Sequence, residues 1–285
     1  MNIQNIKNVR GGINTMSTTT LKLIALFLML TDHIAQFIPG IPIWFHWLGR
    51  LSASLFLFCM AWGFYYTRDR KKYLIRMYCF SASMAIINFI FNTVLLNYLG
   101  KTPYSYMSNN VFAELFCICV VISLIEYLRS DKKKGTKLIL WFLGIQIVTT
   151  AICIYILNHD HLYGLEMLVG ALTGNLVFNE GVLVAEIFGV LLYFSRDSKK
   201  RLILANIIGT IMFTTVNIIF CFIMIPDFKF NIEFWFMVNP QWMMIGALPL
   251  MLLYNGQKGR GLKYLFYLFY PIHIVILFLI SIFCF

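Results

Sequence analysis

Long apolar runs recur along this chain from end to end, and alternate gaps between them are loaded with Lys and Arg. A helix needs roughly 20 apolar residues to cross a bilayer's hydrocarbon core. Backbone polar groups in lipid can be satisfied only within helices or closed barrels. The runs fall at 20–38, 50–67, 74–98, 110–128, 138–157, 181–194, 202–225, 240–254 and 264–285. Of the 285 residues, 60% are hydrophobic and 12% charged, with a mean hydropathy of +0.78. Soluble domains carry roughly twice that share of charge, and so few polar groups cannot clothe a water-facing surface. An ordinary soluble enzyme, a disordered chain and a disulfide scaffold are therefore excluded. The expected fold is all-α: a polytopic integral membrane protein of about nine or ten transmembrane helices. It forms a single integral-membrane domain over 1–285, with a polar N-terminal segment at 1–19.

The net charge is +11, and its placement says more than its size. Cytoplasmic loops of membrane proteins are enriched in Lys and Arg. Basic clusters stand at 68–76, 129–137, 196–201 and 258–263; with Lys7, Arg10 and Lys22 they place 20 of the 23 basic residues on one side. Only Arg50, Lys101 and Lys229 lie elsewhere. The N-terminus is expected in the cytoplasm and the C-terminus outside, in a multi-pass protein of the plasma membrane whose surroundings are the lipid bilayer rather than nucleic acid. No cleavage site follows the first run, so a cleaved signal peptide is not expected. An odd number of crossings must then lie between Asn158 and Arg196. The stretch 163–178, broken by Gly164, Gly170, Gly174 and Asn175, reads as a re-entrant segment, a tilted crossing or a short interfacial helix. The seven Cys form no CxxC pair and lie mostly in apolar runs, which reads as buried thiols rather than a metal site or disulfide framework.

Ionisable residues inside spans are costly and mark functional positions. Here they are Lys22, Asp32, His33, Arg50, Glu114, Glu186 and His273, accompanied by amides that include Asn217 and Gln241. Lys22 and His33 are eleven residues apart, which on a helix is three turns plus about 20°, or about 16 Å along one face. That face carries a cation at the inner mouth and a titratable base in the outer third. Lys22 also reads as a snorkelling anchor, and His33 as a packing histidine. Asp32 points about 100° from His33 and can pair with Arg50 on the next span; Arg50 could instead hold a substrate oxygen. His273 follows Pro271, which kinks helices, so it reads as a cavity wall or a packing residue. His46, between Trp44 and Trp47, reads as part of an interfacial aromatic belt. His159, Asp160 and His161 read as a solvated turn, with no metal expected.

Three stretches carry a resemblance to a known family. They are 21–33 (LKLIALFLMLTDH), 49–64 (GRLSASLFLFCMAWGF) and 241–274, which includes QWMMIGALPLMLLYNG and GLKYLFYLFYPIHI. Together they resemble the TraX family of conjugal-transfer membrane proteins, associated with N-terminal acetylation of pilin. That family is similar to the acyltransferase type three membrane superfamily, whose members carry Arg or Lys, ten residues, then His in their first span. The motif maps onto Lys22 and His33. The resemblance implies an acyltransferase-like domain with His33 catalytic and acetyl-CoA or another acyl-CoA as donor. On this reading Asp32 and Arg50 join His33 in the catalytic group. Lys22, Lys71, Lys72 and Lys263 meet the donor's phosphates, and Glu114, Glu186, Asn217, Gln241 and His273 line the acceptor cavity. The acceptor would be a hydroxyl or amine at the outer face, on pilin, a glycan or another substrate. Rival readings are a proton-coupled transporter relaying through His33, His273 and Glu186, and a non-catalytic assembly protein. A haem bundle with His33 and His273 as axial ligands is a further, remoter rival.

Overall fold

A computed structural model of the chain describes residues 15–159, 164–224 and 231–285, with Lys263 described by its backbone alone. Every regular element among these residues is a helix; a lone bridge joins Met16 to Tyr254. Lys7, Arg10, Asp160, His161, Tyr163, Ile225 and Lys229, which entered the sequence reading, lie outside the described residues.

Seven helices have the length and apolarity to cross a membrane. They are α1 (Thr18–Phe37), α2 (Trp44–Tyr65), α3 (Arg70–Leu99), α4 (Val111–Ser130), α5 (Lys132–Leu157), α8 (Lys199–Met224) and α10 (Lys263–Cys284). Between α5 and α8 stand two shorter helices, α6 (Leu165–Thr173) and α7 (Val184–Ser195). Before α10, a 3-10 helix (Pro240–Ala247) runs into α9 (Leu248–Leu252). The apolar runs at 181–194 and 240–254 thus become shorter elements than the sequence suggests. With 12 residues, α7 is about 18 Å long, short of a 30 Å core. Large apolar side chains face outward along α5 (Leu140, Trp141, Ile147, Val148) and α8 (Phe220, Phe222, Ile223). Water would penalise such surfaces and lipid welcomes them. The chain is a multi-pass membrane protein.

Helix boundaries follow from short polar side chains. Ser17 Oγ accepts from Thr20 N–H at the start of α1, Asp69 Oδ1 from Lys72 N–H at α3, and Asn110 Oδ1 from Ala113 N–H at α4. Asp131 serves two helices. Its N–H donates to Tyr127 O at the end of α4, and its Oδ1 accepts from Lys134 N–H at the start of α5. Five of the seven cysteines are buried as free thiols; Cys79 and Cys284 are exposed.

The described residues gather into two compact units. One comprises those of Met1–Trp62 and Leu191–His273, the other Gly63–Val190 and Ile274–Phe285. In the first, the segment entering α1 lies along the segment entering α10. Met16 N–H donates to Leu253 O at 3.1 Å, Thr18 N–H to Gln257 O at 2.9 Å, and Thr19 Oγ1 to Arg260 O at 2.6 Å. In the second, Arg70 at the start of α3 pairs with Glu126 near the end of α4. Residues 163–178 resolve, from 164 onward, into α6 bracketed by Gly164 (φ +88°) and Gly174 (φ +65°). After Gly174 the chain folds back, and Phe178 O packs where a side chain at Gly170 would stand. Its non-helical backbone is served by α5. Gln146 donates to Gly174 O at 3.0 Å and accepts from Leu176 N–H at 2.9 Å, while Asn175 Nδ2 donates to Thr149 and Thr150. Irregular backbone at membrane depth needs such protein partners.

Candidate paired-histidine site

The 20 residues of α1 carry Lys22, Asp32 and His33 in one unbroken register. His33 is 5% exposed and reaches His273, 6% exposed, on α10: His33 Nδ1 and His273 Nε2 are 2.7 Å apart. The two rings stack with centroids 5.0 Å apart, and Tyr270 stands edge-on to both. His273 Nδ1 lies 2.7 Å from Phe269 O, one turn earlier on α10. A carbonyl can only accept, so His273 carries its proton on Nδ1 when neutral. Its Nε2 is then the acceptor, and His33 Nδ1–H the donor. The chain Phe269–His273–His33 thereby makes Nε2 the basic nitrogen of His33.

Lys22 meets the same partner helix. Its Nζ lies 5.6 Å from the ring centroid of Phe266, two turns before His273 on α10. Lys22 and His33 therefore face one helix, as their spacing predicts. Between them on α1, Ala25 and Met29 are buried and apolar.

Asp32 builds a second constellation on the adjoining face. Its Oδ2 accepts from Arg50 Nη2 at 2.5 Å and its Oδ1 lies 2.6 Å from His46 Nδ1. Arg50 Nε also donates to His46 O at 3.3 Å. The expected Asp32–Arg50 pair is present. His46 departs from expectation: it is bound to Asp32 rather than standing in an aromatic belt, while Trp44 is exposed and Trp47 donates to Phe236 O. Gly49 explains the close approach. A Cβ there would overlap Asp32 Cβ and Cγ, so glycine is what lets the first turns of α2 lie against Asp32. Asp32 does not bond to His33; the two neighbours serve different partners.

The remaining candidates are dispersed. Asn217 on α8 accepts from Cys221 Sγ at 3.6 Å, and Gln241 is half-buried in the 3-10 helix. Glu114 and Glu186 belong to the second unit and are buried. Glu186 Oε1 accepts from Asn179 Nδ2 at 2.5 Å, whereas its Oε2 has no partner among the described residues. The Glu114 carboxylate packs against Gly181. Lys71 and Lys72, also in the second unit, are exposed, and Lys72 Nζ pairs with Asp69 Oδ2 at 3.3 Å. His159 Nδ1 turns back to Tyr155 O at 2.8 Å.

A helical, multi-pass membrane protein with two histidines locked together inside its helices is the class that fold and site define. The family description "TraX protein" matches residues 17–281, and the chain belongs to the TraX family. All three stretches that carry the resemblance fall within the matched residues, and membership supports a role in a conjugation system. No curated protein matches the chain, and no solved structure does.

Proposed function

We propose that the protein is a membrane-embedded acyltransferase that moves an acetyl group from acetyl-CoA to a hydroxyl or amine. The observation that carries this reading is the buried His33–His273 pair on α1 and α10, with Lys22 on the same face of α1. The hydrogen-bond chain from Phe269 through His273 leaves Nε2 of His33 as a general base. In the reaction, His33 Nε2 takes the proton of the acceptor O–H or N–H as that atom bonds to the thioester carbonyl carbon. The C–S bond breaks, and the departing thiolate takes the proton back from His33. General-base assistance of this kind is worth about 10²–10⁴-fold in rate. His273 is a positioning residue: it fixes the tautomer and shares the charge that His33 gains.

Lys22 meets the donor's phosphates at the cytoplasmic mouth, and the apolar stretch at Ala25 and Met29 suits the pantetheine arm. Asp32, Arg50 and His46 pin α1 to α2 and so hold His33 in register. The plasma membrane, an N-terminus in the cytoplasm, kinship with acyltransferase type three proteins, and pilin or a glycan as acceptor belong to the same proposal. The test is transfer of labelled acetyl from acetyl-CoA by the purified chain in lipid, with a membrane extract as acceptor source. Transfer is expected in the wild type and lost in His33→Ala. Wild-type transfer by His33→Ala overturns the mechanism.

A further inference from the structure

An open groove of about 700 Å³ runs along α5, and no residue of the paired-histidine site lines it. Its wall is apolar, built of Leu140, Trp141, Gly144, Ile145 and Val148, with Lys137 at one end. At the other end the Thr149 hydroxyl is taken up by Ile145 O at 2.9 Å and Asn175 Nδ2 at 2.8 Å. Lys137, Trp141, Gly144 and Val148 form one stripe, spaced four, three and four residues apart. From Lys137 to Val148 the stripe rises about 16 Å. That is about half of a 30 Å hydrocarbon core, the depth of one leaflet. Gly144 stands in the middle of the stripe, and no described residue packs against it: a Cβ there would meet no atom within 4 Å. A glycine in an exposed helix interior costs about 1 kcal/mol relative to alanine. Here it opens a gap between Trp141, 66% exposed, and Val148, 59% exposed.

The cations at the start of α5 differ in what they meet. Lys134 Nζ pairs with Asp131 Oδ2 at 3.6 Å. Lys133 and Lys137, one turn apart on the side of the groove, are exposed and make no ion pair among the described residues. Two occupants suit a lipid-facing gap of this kind: a second copy of the chain, packing α5 on α5, or an acyl chain. Copies related by a two-fold axis share one orientation in the membrane, so they would set Lys133 and Lys137 against their own equivalents. A lipid with a negative headgroup places the opposite charge there. We infer that this groove binds an anionic phospholipid, its headgroup at Lys133 and Lys137 and one acyl chain in the gap at Gly144.

Trp141 is a built-in reporter, because bromine atoms on an acyl chain quench a tryptophan that they touch. Brominated phosphatidylglycerol and brominated phosphatidylcholine are the probes, each titrated into phosphatidylcholine nanodiscs holding the full chain. Subtracting the Trp141→Phe signal isolates Trp141. No acyl donor is present, so the outcome is independent of the acyltransferase reading. Half-quenching is expected at a lower mole fraction of phosphatidylglycerol than of phosphatidylcholine. A lysine near an anionic lipid surface is worth about fivefold in binding, so Lys133→Gln and Lys137→Gln are each expected to shrink the preference about fivefold. Gly144→Leu, which fills the gap and leaves the lysines in place, is expected to abolish it, and His33→Ala to leave it unchanged. Equal quenching by the two lipids in the wild type overturns the inference. So does a preference that survives both lysine substitutions. A preference that survives Gly144→Leu reduces the effect to surface charge and removes the groove from it. A Trp141 shielded from both lipids means that protein, a second copy included, covers the face, and equally overturns the inference. Should a variant fail to fold, the comparison of the two lipids on the wild type decides alone.

Discussion

Asp32 is the residue on which α1 and α2 depend most, because one carboxylate answers both Arg50 and His46 at 2.5 and 2.6 Å. Removing one partner of a buried pair leaves the other uncompensated, at about 3–5 kcal/mol. Side-chain exposures of 17% at Asp32 and 25% at Arg50 put Asp32→Asn at the low end, about 3 kcal/mol. A thermal melt in nanodiscs checks this; a midpoint equal to wild type contradicts it. His273 calls for a different readout. If it sets the tautomer of His33, His273→Ala lowers kcat and shifts its pH profile, with KM for the donor little changed. A purely structural role would lower the amount of folded protein and leave the profile of the remainder in place. The spacing of Lys22 and His33 made their shared face legible, and the 100° turn from His33 to Asp32 made the Arg50 pair legible. The His33–His273 contact was not, because the two residues are 240 positions apart and nothing local couples them. His46 was hidden for a geometric reason. The length of the turn before α2 decides which residue of its first turns faces Asp32, and a one-residue change rotates that face by about 100°.

Helix junctions carry the next set of consequences. Gly49 is where α2 touches Asp32, so Gly49→Ala forces a methyl group into an occupied space. Overpacking of this kind costs about 1–3 kcal/mol, and here it also displaces the Arg50 and His46 partners. Transfer activity is expected to fall along with stability, whereas Gly63→Ala, with open space around it, is expected to leave both unchanged. At the start of α4, Asn110→Ala removes a capping oxygen and is expected to cost about 1 kcal/mol by thermal melt. Asp69 caps α3 at the exposed end. The Lys72 backbone N–H that it accepts holds its carboxyl below the ordinary carboxylate value, so its contribution is present above that value and fades as pH falls through the lowered one. The glycines at 164, 170 and 174 announced a break in the sequence, and two of them do sit at left-handed positions. What periodicity could not show is that Gln146 of α5 satisfies the broken backbone while Thr149 accepts from the Asn175 side chain, since a polar residue in an apolar helix gives no sign of its partner.

For the whole molecule, the decisive question is which way the basic ends face. Seven long helices alone would give α8 and α10 orientations that depend on whether the shorter elements also cross. The charge pattern resolves this if α7 and the Pro240–Leu252 segment, each too short to span alone, complete a passage together with the non-helical residues that flank them; nine crossings would then put every basic cluster on one side. The first unit offers support: the start of α1 is bonded to residues 253–260, so Lys258 and Arg260 share its end. In addition, α1 and α10 meet first at Lys22 with Phe266 and then at His33 with His273, as parallel helices do. Single cysteines placed at Lys133, Lys200 and Lys258 in a cysteine-free background are expected to resist an impermeant maleimide in right-side-out vesicles and to react after permeabilisation. A cysteine at Thr102 is expected to react without permeabilisation. Reaction of the Lys133 variant from outside would invert α4 and α5 and leave the charge pattern without a cause. Reaction of the Lys258 variant from outside would do more. It would set Lys22 on the face where acyl-CoA is absent and separate the paired histidines from any cytoplasmic donor.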